Sequence, residues 1–424
     1  MNASTLTTQL RRQRYQMKDR RGRPAETAGQ MLARVAGAYA SGEPGICFID
    51  RVNDFNPTPL LGRLEATNPC GEQPLLAYES CNLGSINLAK FVLAGGGLDW
   101  SRLARTIHLA VRFLDDVIEV NHYPVDEIRQ ATMGNRKIGL GLMGFADALI
   151  LLGIRYDSQE AVKLAETLSD FLTDAARHAS QELAQIRGCF PNWTGSIWDT
   201  KYHRAMRNAA CTTIAPTGSI SILAGCSSGI EPLFGVATSR RVLGKEFLEI
   251  SPVVQRIGDR QGWLTRRVRA ALLGGVPPRD IRGIPRELAE VLVTAHEVSP
   301  EWHVRVQAAF QAHIDNAVSK TVNLPEEATV ADVDNIFRLA FELGCKGITV
   351  YRDRSCGAQT LMAAGGSRKV AVGTDKNTPP GNRAILAERV GLPASGDSTC
   401  PVCERHSPNG PGVTKNTACG SSTG

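Results

Sequence analysis

The 424-residue chain carries 42% hydrophobic and 21% charged residues, 41 glycines and a formal charge of +6. That composition excludes a disordered or fibrous polymer, and no run of roughly eighteen apolar residues marks a membrane-spanning helix. The length accommodates two or three average domains or one large barrel. The eleven cysteines, with no apolar secretion signal within Met1 to Leu10, point to a reducing, cytoplasmic setting.

Arg11, Arg12, Arg14, Lys18, Arg20, Arg21 and Arg23 make the N-terminus basic. We read it as a solvated arm, because nucleic-acid binding calls for interleaved aromatics and only Tyr15 stands there. From Ala25 to Ser41 apolar residues share one helical face, and Gly42 to Gly45 breaks the pattern. Ile46 to Asp50 is strand-like, and a Pro/Asn-rich loop, Asn53 to Pro59, leads to a cysteine region, Asn68 to Asn87. Leu103 to Val120 and Ser158 to Leu183 have the period of amphipathic helices, with the Gly-rich Lys137 to Phe145 separating them. Thr212 to Ala215 predicts a strand running into a Gly/Ser turn and an apolar helix. Glu287 to His296, Trp302 to Ala317 and Ala331 to Leu343 predict helices, and Val318 to Leu324 and Gly347 to Tyr351 predict strands. The alternation predicts an α/β fold of parallel strands with helical crossovers. Beyond about Ala364, Gly, Ser, Pro, Thr and Asn dominate, which predicts a flexible tail.

The densest group of reactive side chains is Asn68, Cys70 and Glu72, followed by Cys81. In an extended segment the three alternate positions would point to one side, where one small molecule touches all of them. Such a cysteine serves as nucleophile, metal ligand or hydrogen-atom donor, and a carboxylate two residues away suits a general base. Taken alone, Cys-Gly-Glu is weak, since a lone cysteine is more often a small buried hydrophobe. A strand followed by Thr-Gly-Ser at Pro216 to Ser221 aims N–H groups and hydroxyls at one point, as a phosphate site does; a simple Gly turn with a Ser cap is the alternative. Cys400 and Cys403 have the spacing of a redox dithiol or of half a zinc ribbon, with Cys419 and His406 following. No metal ligands are assigned. Cys47, Cys189, Cys211, Cys226, Cys345 and Cys356 have no partner spacing and read as structural thiols.

The run Gly45 to Phe91 resembles the finger-loop region of adenosylcobalamin-dependent (class II) ribonucleotide reductases. Four further stretches match that family in the same order. They are Val111 to Asp115 with Asn135 to Gly139; Pro216 to Ser221 with Gly229 to Pro232; Asn316 to Asn323; and Gly347 to Arg352. The resemblance implies a ten-stranded α/β barrel of two five-stranded halves joined through a central finger loop, of which this chain supplies the second half. The corresponding boundaries are a basic N-terminus and lead-in helix at 1–41, the half-barrel with its finger loop at 42–360, and a linker and Cys-containing tail at 361–424.

The same resemblance implies reduction of ribonucleoside diphosphates to deoxyribonucleotides for DNA synthesis. Cys70 becomes the thiyl radical that abstracts the 3′ hydrogen, Glu72 takes the 3′-hydroxyl proton, Asn68 binds the sugar, and Cys81 is one of two reducing cysteines. Pro216, Thr217, Gly218, Ser219 and Ile220 hold the phosphates, and Cys400 and Cys403 re-reduce the site. Adenosylcobalamin is the implied cofactor and a thioredoxin-like protein the reductant, with neither membrane nor nucleic acid as partner. The first redox cysteine and the effector site of the family lie upstream of the matched region, so the chain is expected to need an N-terminal half-barrel chain or a homo-oligomer. Class I enzymes pass a radical through adjacent tyrosines, whereas Tyr351 follows Val350. The alternative from another class is a non-catalytic remnant or a nucleotide- or zinc-binding interaction module.

Overall fold

The computed structural model describes residues 36–42, 45–242, 245–353, 355 and 361–363. The basic arm, most of the lead-in helix and the tail bearing Cys400 and Cys403 lie outside the described residues.

Two strand ladders run parallel. Strand β4 (Asn82–Asn87) pairs with β5 (Ile138–Met143), and β8 (Thr321–Leu324) pairs with β9 (Gly347–Arg352). Between them, residues 210–214 and 316–319 complete the order through parallel bridges Leu140↔Thr212 and Ile214↔Val318. Backbone bonds from Leu140 N to Cys211 O and from Ile214 N to Ala317 O carry the pairing across, at 2.9 and 3.2 Å. Residues 316–319 run on into β8, so five parallel segments lie side by side, and the short β1 (Ile46–Cys47) adds antiparallel to β9. The fold is α/β, as the alternation predicts, and among the described residues no sheet closes on itself. Two small antiparallel units stand apart: β2 (Ala66–Thr67) with β3 (Pro74–Leu75), and the hairpin β6 (Ala237–Val242) and β7 (Lys245–Ile250), which β10 (Leu361–Ala363) joins at β6.

Helices cover the parallel segments. After the short α1 (Ile49–Asp54), α2 (Trp100–Val120) starts where the Asp99 carboxylate accepts from Arg102 N, and buries Leu103, Ile107, Val111, Leu114 and Ile118 on one face. Helix α3 (Asp126–Asn135) leads into β5, and α4 (Phe145–Leu152) leaves it. The long α5 (Gln159–Arg187), capped by Ser158, packs on α2 and on α9 (Pro300–Gln311), and the Phe145 ring of α4 meets the Phe310 ring of α9 edge-on at 5.2 Å. Further helices include α6 (Ile220–Ala224), α7 (Pro252–Gln261), α8 (Arg266–Leu273) and α10 (Val330–Glu342). A capping box between Thr329 and Asp332 opens α10, which buries Val333, Ile336 and Phe337 against Val322 and Ile348.

Four expectations shift. Lys137 to Phe145 is no separator: Ile138–Met143 is a strand with all six residues buried. Ile46 to Asp50 is a strand for two residues and then a helix, because Arg51 must donate to Phe341 O and Cys345 O at the end of α10, at 2.6 and 3.1 Å. The helix expected through Ala317 stops at Gln311, which frees Asp315 to accept from Cys211 N and Thr212 N at 2.8 and 3.2 Å. Helix from Glu287 to His296 is confined to Arg286–Val291, beyond which the Glu297 carboxylate binds Thr294 N at 2.8 Å.

Candidate active site

The β2–β3 hairpin carries Asn68, Cys70 and Glu72 around a tight turn, not along one extended run. Gly71 N donates to Asn68 O, and the Asn68 side-chain oxygen accepts from Gln73 N, at 3.0 and 3.1 Å. Gly71 takes φ +81°, a conformation that favours glycine. The same-side argument from alternate positions therefore fails; the turn itself brings the three residues together. It leaves Cys70 exposed and Glu72 2% exposed.

The tip is fastened to the parallel frame. Glu72 O accepts from Ala317 N at 2.9 Å and lies 2.8 Å from Thr213 Oγ1, which also sits 3.0 Å from Ala317 O. One carbonyl of the hairpin thus bonds to two neighbouring parallel segments. Next to it Gln73 occupies the space that Gly139 leaves open, since a Cβ there would overlap Gln73 Nε2 and Leu83 Cδ2. Glu72 Oε2 and both side-chain polar atoms of Gln73 are buried with no partner among the described residues, and such groups stay orphaned at a cost unless a ligand or water meets them.

Cys81 sits at the start of β4, its sulfur 3.4 Å from Lys137 O and from Asn82 O. Below it the Glu79 carboxylate receives Lys137 Nζ at 2.7 Å, Asn135 Nδ2 at 2.7 Å and Leu76 N at 2.9 Å. Burial pushes the Cys81 thiol far up; Lys137 opposes this, and Glu79 and Glu72 add to it. Partial desolvation and then the Glu72 charge also raise Cys70. Both sulfurs are therefore held as S–H. A nucleophile or metal ligand needs thiolate, whereas a hydrogen-atom donor or dithiol reductant starts from S–H, and raised thiols suit the last two. Among the described residues no group of His, Cys, Asp and Glu could hold a metal ion.

The 210–214 segment that supplies Thr213 runs into the turn at Pro216. Thr217 stands at φ +55°, its Oγ1 accepts from Gly229 N at 2.7 Å, and its carbonyl accepts from Ser221 N at 3.0 Å. The Thr217 hydroxyl is thus already engaged, while Gly218, Ser219 and Ile220 are exposed, and Ser219 makes no side-chain cap on α6. Two other matched stretches also meet: Arg136, 2% exposed, donates to Asp115 at 2.8 Å and joins the start of β5 to α2. Thr213, Gln73 and the Glu79–Lys137 pair were not singled out from sequence, because the contacts that place them at the site span roughly 60 to 140 residues, and no local pattern encodes such contacts.

Fold and site together define an α/β protein whose cysteine-bearing hairpin is fastened to a parallel frame. The family described as "Ribonucleotide reductase, barrel domain" matches residues 12–351, and the chain belongs to it. It is 49% identical over 327 residues to the vitamin B12-dependent ribonucleoside-diphosphate reductase of Thermoplasma acidophilum, covering 77% of this chain and 42% of that protein. Its likeness to the enzyme of the same name in Mycobacterium tuberculosis H37Rv is 50% over 333 residues, covering 77% and 46%. The chain thus spans less than half the length of these curated relatives. Among solved structures, the class Id ribonucleotide reductase alpha subunit of Actinobacillus ureae superposes with a TM-score of 0.64 at 24% identity, covering 77% of this chain and 61% of that one, a likeness of fold.

Proposed function

We propose that the chain is the radical-bearing half of a ribonucleotide reductase that converts ribonucleoside diphosphates to deoxyribonucleotides. The observation that carries the proposal is the hairpin tip: an exposed, protonated thiol beside a buried carboxylate with an unpartnered oxygen, both tied to the frame through Glu72 O. In this reading the Cys70 sulfur, as a thiyl radical, takes the hydrogen atom from C3′, forming S–H and leaving the unpaired electron on the sugar. Glu72 Oε2 accepts the 3′-hydroxyl proton, and the Asn68 amide N–H, not used by the turn, donates to the sugar. The 2′ hydroxyl leaves as water on taking up a proton. Cys81 and a second thiol, from the upstream half-barrel, supply two electrons and two protons as a disulfide forms between them, one proton leaving with the water and the other going to C2′; Glu72 returns its proton to the 3′ oxygen, and Cys70 returns its hydrogen to C3′. Fixed donors and a hairpin tied at its tip keep the reacting atoms in register.

Adenosylcobalamin, when bound, supplies the radical that oxidises the thiol. The fit rests on Cys70, which faces outward at the turn and would face the cofactor, and the names of the B12-dependent relatives support the choice. We further assign residues 42–360 to the second half of a ten-stranded barrel, with the edge of β4 away from β5 taking an N-terminal half-barrel chain or a second copy. Pro216, Thr217, Gly218, Ser219 and Ile220 form the turn that holds the substrate phosphates, with donors from the backbone N–H groups of the last four and the Ser219 hydroxyl, and Cys400 and Cys403 pass electrons from a thioredoxin-like protein.

The test is conversion of CDP to dCDP with adenosylcobalamin and dithiothreitol, by the chain alone and mixed with an N-terminal half-barrel from a relative. Turnover that Cys70→Ser abolishes is the expected result. A folded chain that yields no dCDP in either mixture removes the catalytic assignment and favours a remnant.

A further inference from the structure

Two stretches that match the family, the one ending at Glu231-Pro232 and the one carrying Lys320, have no part in the chemistry above. The structure joins them. Lys320 is 2% exposed, and its ammonium meets three acceptors, the number it can satisfy: Glu231 Oε2 at 2.5 Å, His303 Nδ1 at 2.9 Å and Thr321 O at 3.1 Å. His303 Nε2 lies 3.0 Å from Ala295 O; that carbonyl needs a donor, so the ring proton sits on Nε2 and Nδ1 accepts. Burial, and then the Lys320 charge, keep this imidazole neutral by lowering it well below the ordinary histidine range. The other Glu231 oxygen accepts from Thr321 N at 2.7 Å, so the carboxylate is held at both ends.

From Glu231 the chain leads directly back to the phosphate turn. Ile230 O accepts from Tyr156 Oη at 2.7 Å, and Gly229 N donates to Thr217 Oγ1 at 2.7 Å. Ser228 Oγ lies 3.0 Å from Ser221 Oγ. A Cβ on Gly229 would press on Ala215 O at 2.8 Å, so the 226–231 loop backs on the turn without room to slide. Thr217 is a β-branched residue at positive φ, a conformation that persists only where its surroundings enforce it, and the bond from Gly229 N is its side-chain restraint beside the Ser221 N bond to its carbonyl.

We propose that Lys320, acting through Glu231, is a positioning residue that fixes the 226–231 loop and thereby the geometry in which residues 216–220 hold the substrate's phosphates. The inference rests on the reading of that turn as the phosphate site. It assigns Lys320, Glu231 and His303 to substrate placement, with no contact to the reacting sugar.

The test uses the full chain with Lys320→Met and, separately, Glu231→Gln, which keeps volume and an acceptor for Thr321 N. Calorimetric titration with CDP and with cytidine separates phosphate from nucleoside contacts. Both variants are expected to bind CDP about tenfold or more weakly while cytidine binding is unchanged, the loss expected when a charge-assisted bond is removed. In the mixture with the N-terminal half, KM for CDP rises with kcat held within about threefold. If the parent binds CDP in preference to cytidine and both variants match it, the positioning role is overturned and the phosphate reading stands. A parallel loss of both ligands also overturns it, marking a merely structural pair. A parent chain that does not prefer CDP overturns both readings. Should Lys320→Met fail to fold in a thermal melt, Glu231→Gln decides alone.

Discussion

Replacing Lys137 by Met isolates the energetics that hold Cys81 in place. The Lys137 and Glu79 side chains are 1% and 0% exposed, and the pair is 2.7 Å apart. Taking away the ammonium leaves a carboxylate enclosed, with only Asn135 Nδ2 and Leu76 N as donors. An uncompensated buried charge of this kind costs about 3–5 kcal/mol. The double variant Glu79→Gln/Lys137→Met removes the charge and keeps one acceptor oxygen, enough for Leu76 N or Asn135 Nδ2 but not for both, so it should recover part of the loss. Equilibrium urea unfolding of the parent, the single and the double variant measures both quantities. A single-variant loss below about 1 kcal/mol, or a double variant no more stable than the single, would refute the view that the buried charge pair, and not side-chain packing, dominates here. Because Cys81 Sγ lies 3.4 Å from Lys137 O, the single variant should also lose dCDP formation while the double keeps part of it.

Burial lifts the Asp147 carboxyl from the ordinary carboxylate range to about 6, with Ser227 N–H and Arg256 opposing the rise. The folded chain therefore keeps a proton that the unfolded chain releases above about pH 4, and stability falls as pH rises through that window until the folded group also ionises. Asp147→Asn should remove this slope, its advantage over the parent growing from about pH 4 to 6 and reaching roughly 3 kcal/mol at most; parallel stability–pH curves would contradict the assignment. Thr213→Val deletes the hydroxyl beside Glu72 O and should cost about 1 kcal/mol in urea unfolding, yet lower dCDP formation about tenfold or more because the hairpin tip loses its register. Gly141→Ala sets a Cβ against the Thr213 carbonyl oxygen, a backbone atom that cannot swing aside, and should lower stability by about 1–3 kcal/mol in a thermal melt. Gly218→Ala, where a Cβ meets nothing within 4 Å, should leave the melt unchanged.

The long amphipathic helices were legible because their burial is local and periodic: Leu103, Ile107, Val111 and Leu114 recur at helical spacing and all face the core. The parallel strands near 212 and at 347–352 were legible for the same reason, as β-branched runs between turns. β5 was not, because Gly139 and Gly141 look like loop residues until Gln73, Leu83 and Thr213 are seen to close on them from distant parts of the chain. The β6–β7 hairpin also went unread; its sequence alternates too weakly for a strand signal. At the site, Asn68, Cys70, Glu72 and Cys81 stood out as residue types and by family resemblance. Their turn geometry did not, because the turn depends on the Asn68 side chain and on Ala317, far along the chain. Whether a carboxylate is buried and unpartnered is likewise a property of packing, not of neighbours in sequence.

The central claim is that the Cys70 sulfur removes the 3′ hydrogen of the substrate. The most direct measurement is the rate of dCDP formation from CDP and from [3′-²H]CDP, by the chain mixed with an N-terminal half-barrel and adenosylcobalamin, beside the Cys70→Ser variant. The account predicts a slower reaction with the deuterated substrate and no product from the variant. Product formation that persists in Cys70→Ser, or equal rates with both substrates under single-turnover conditions in which hydrogen transfer limits the rate, would contradict it.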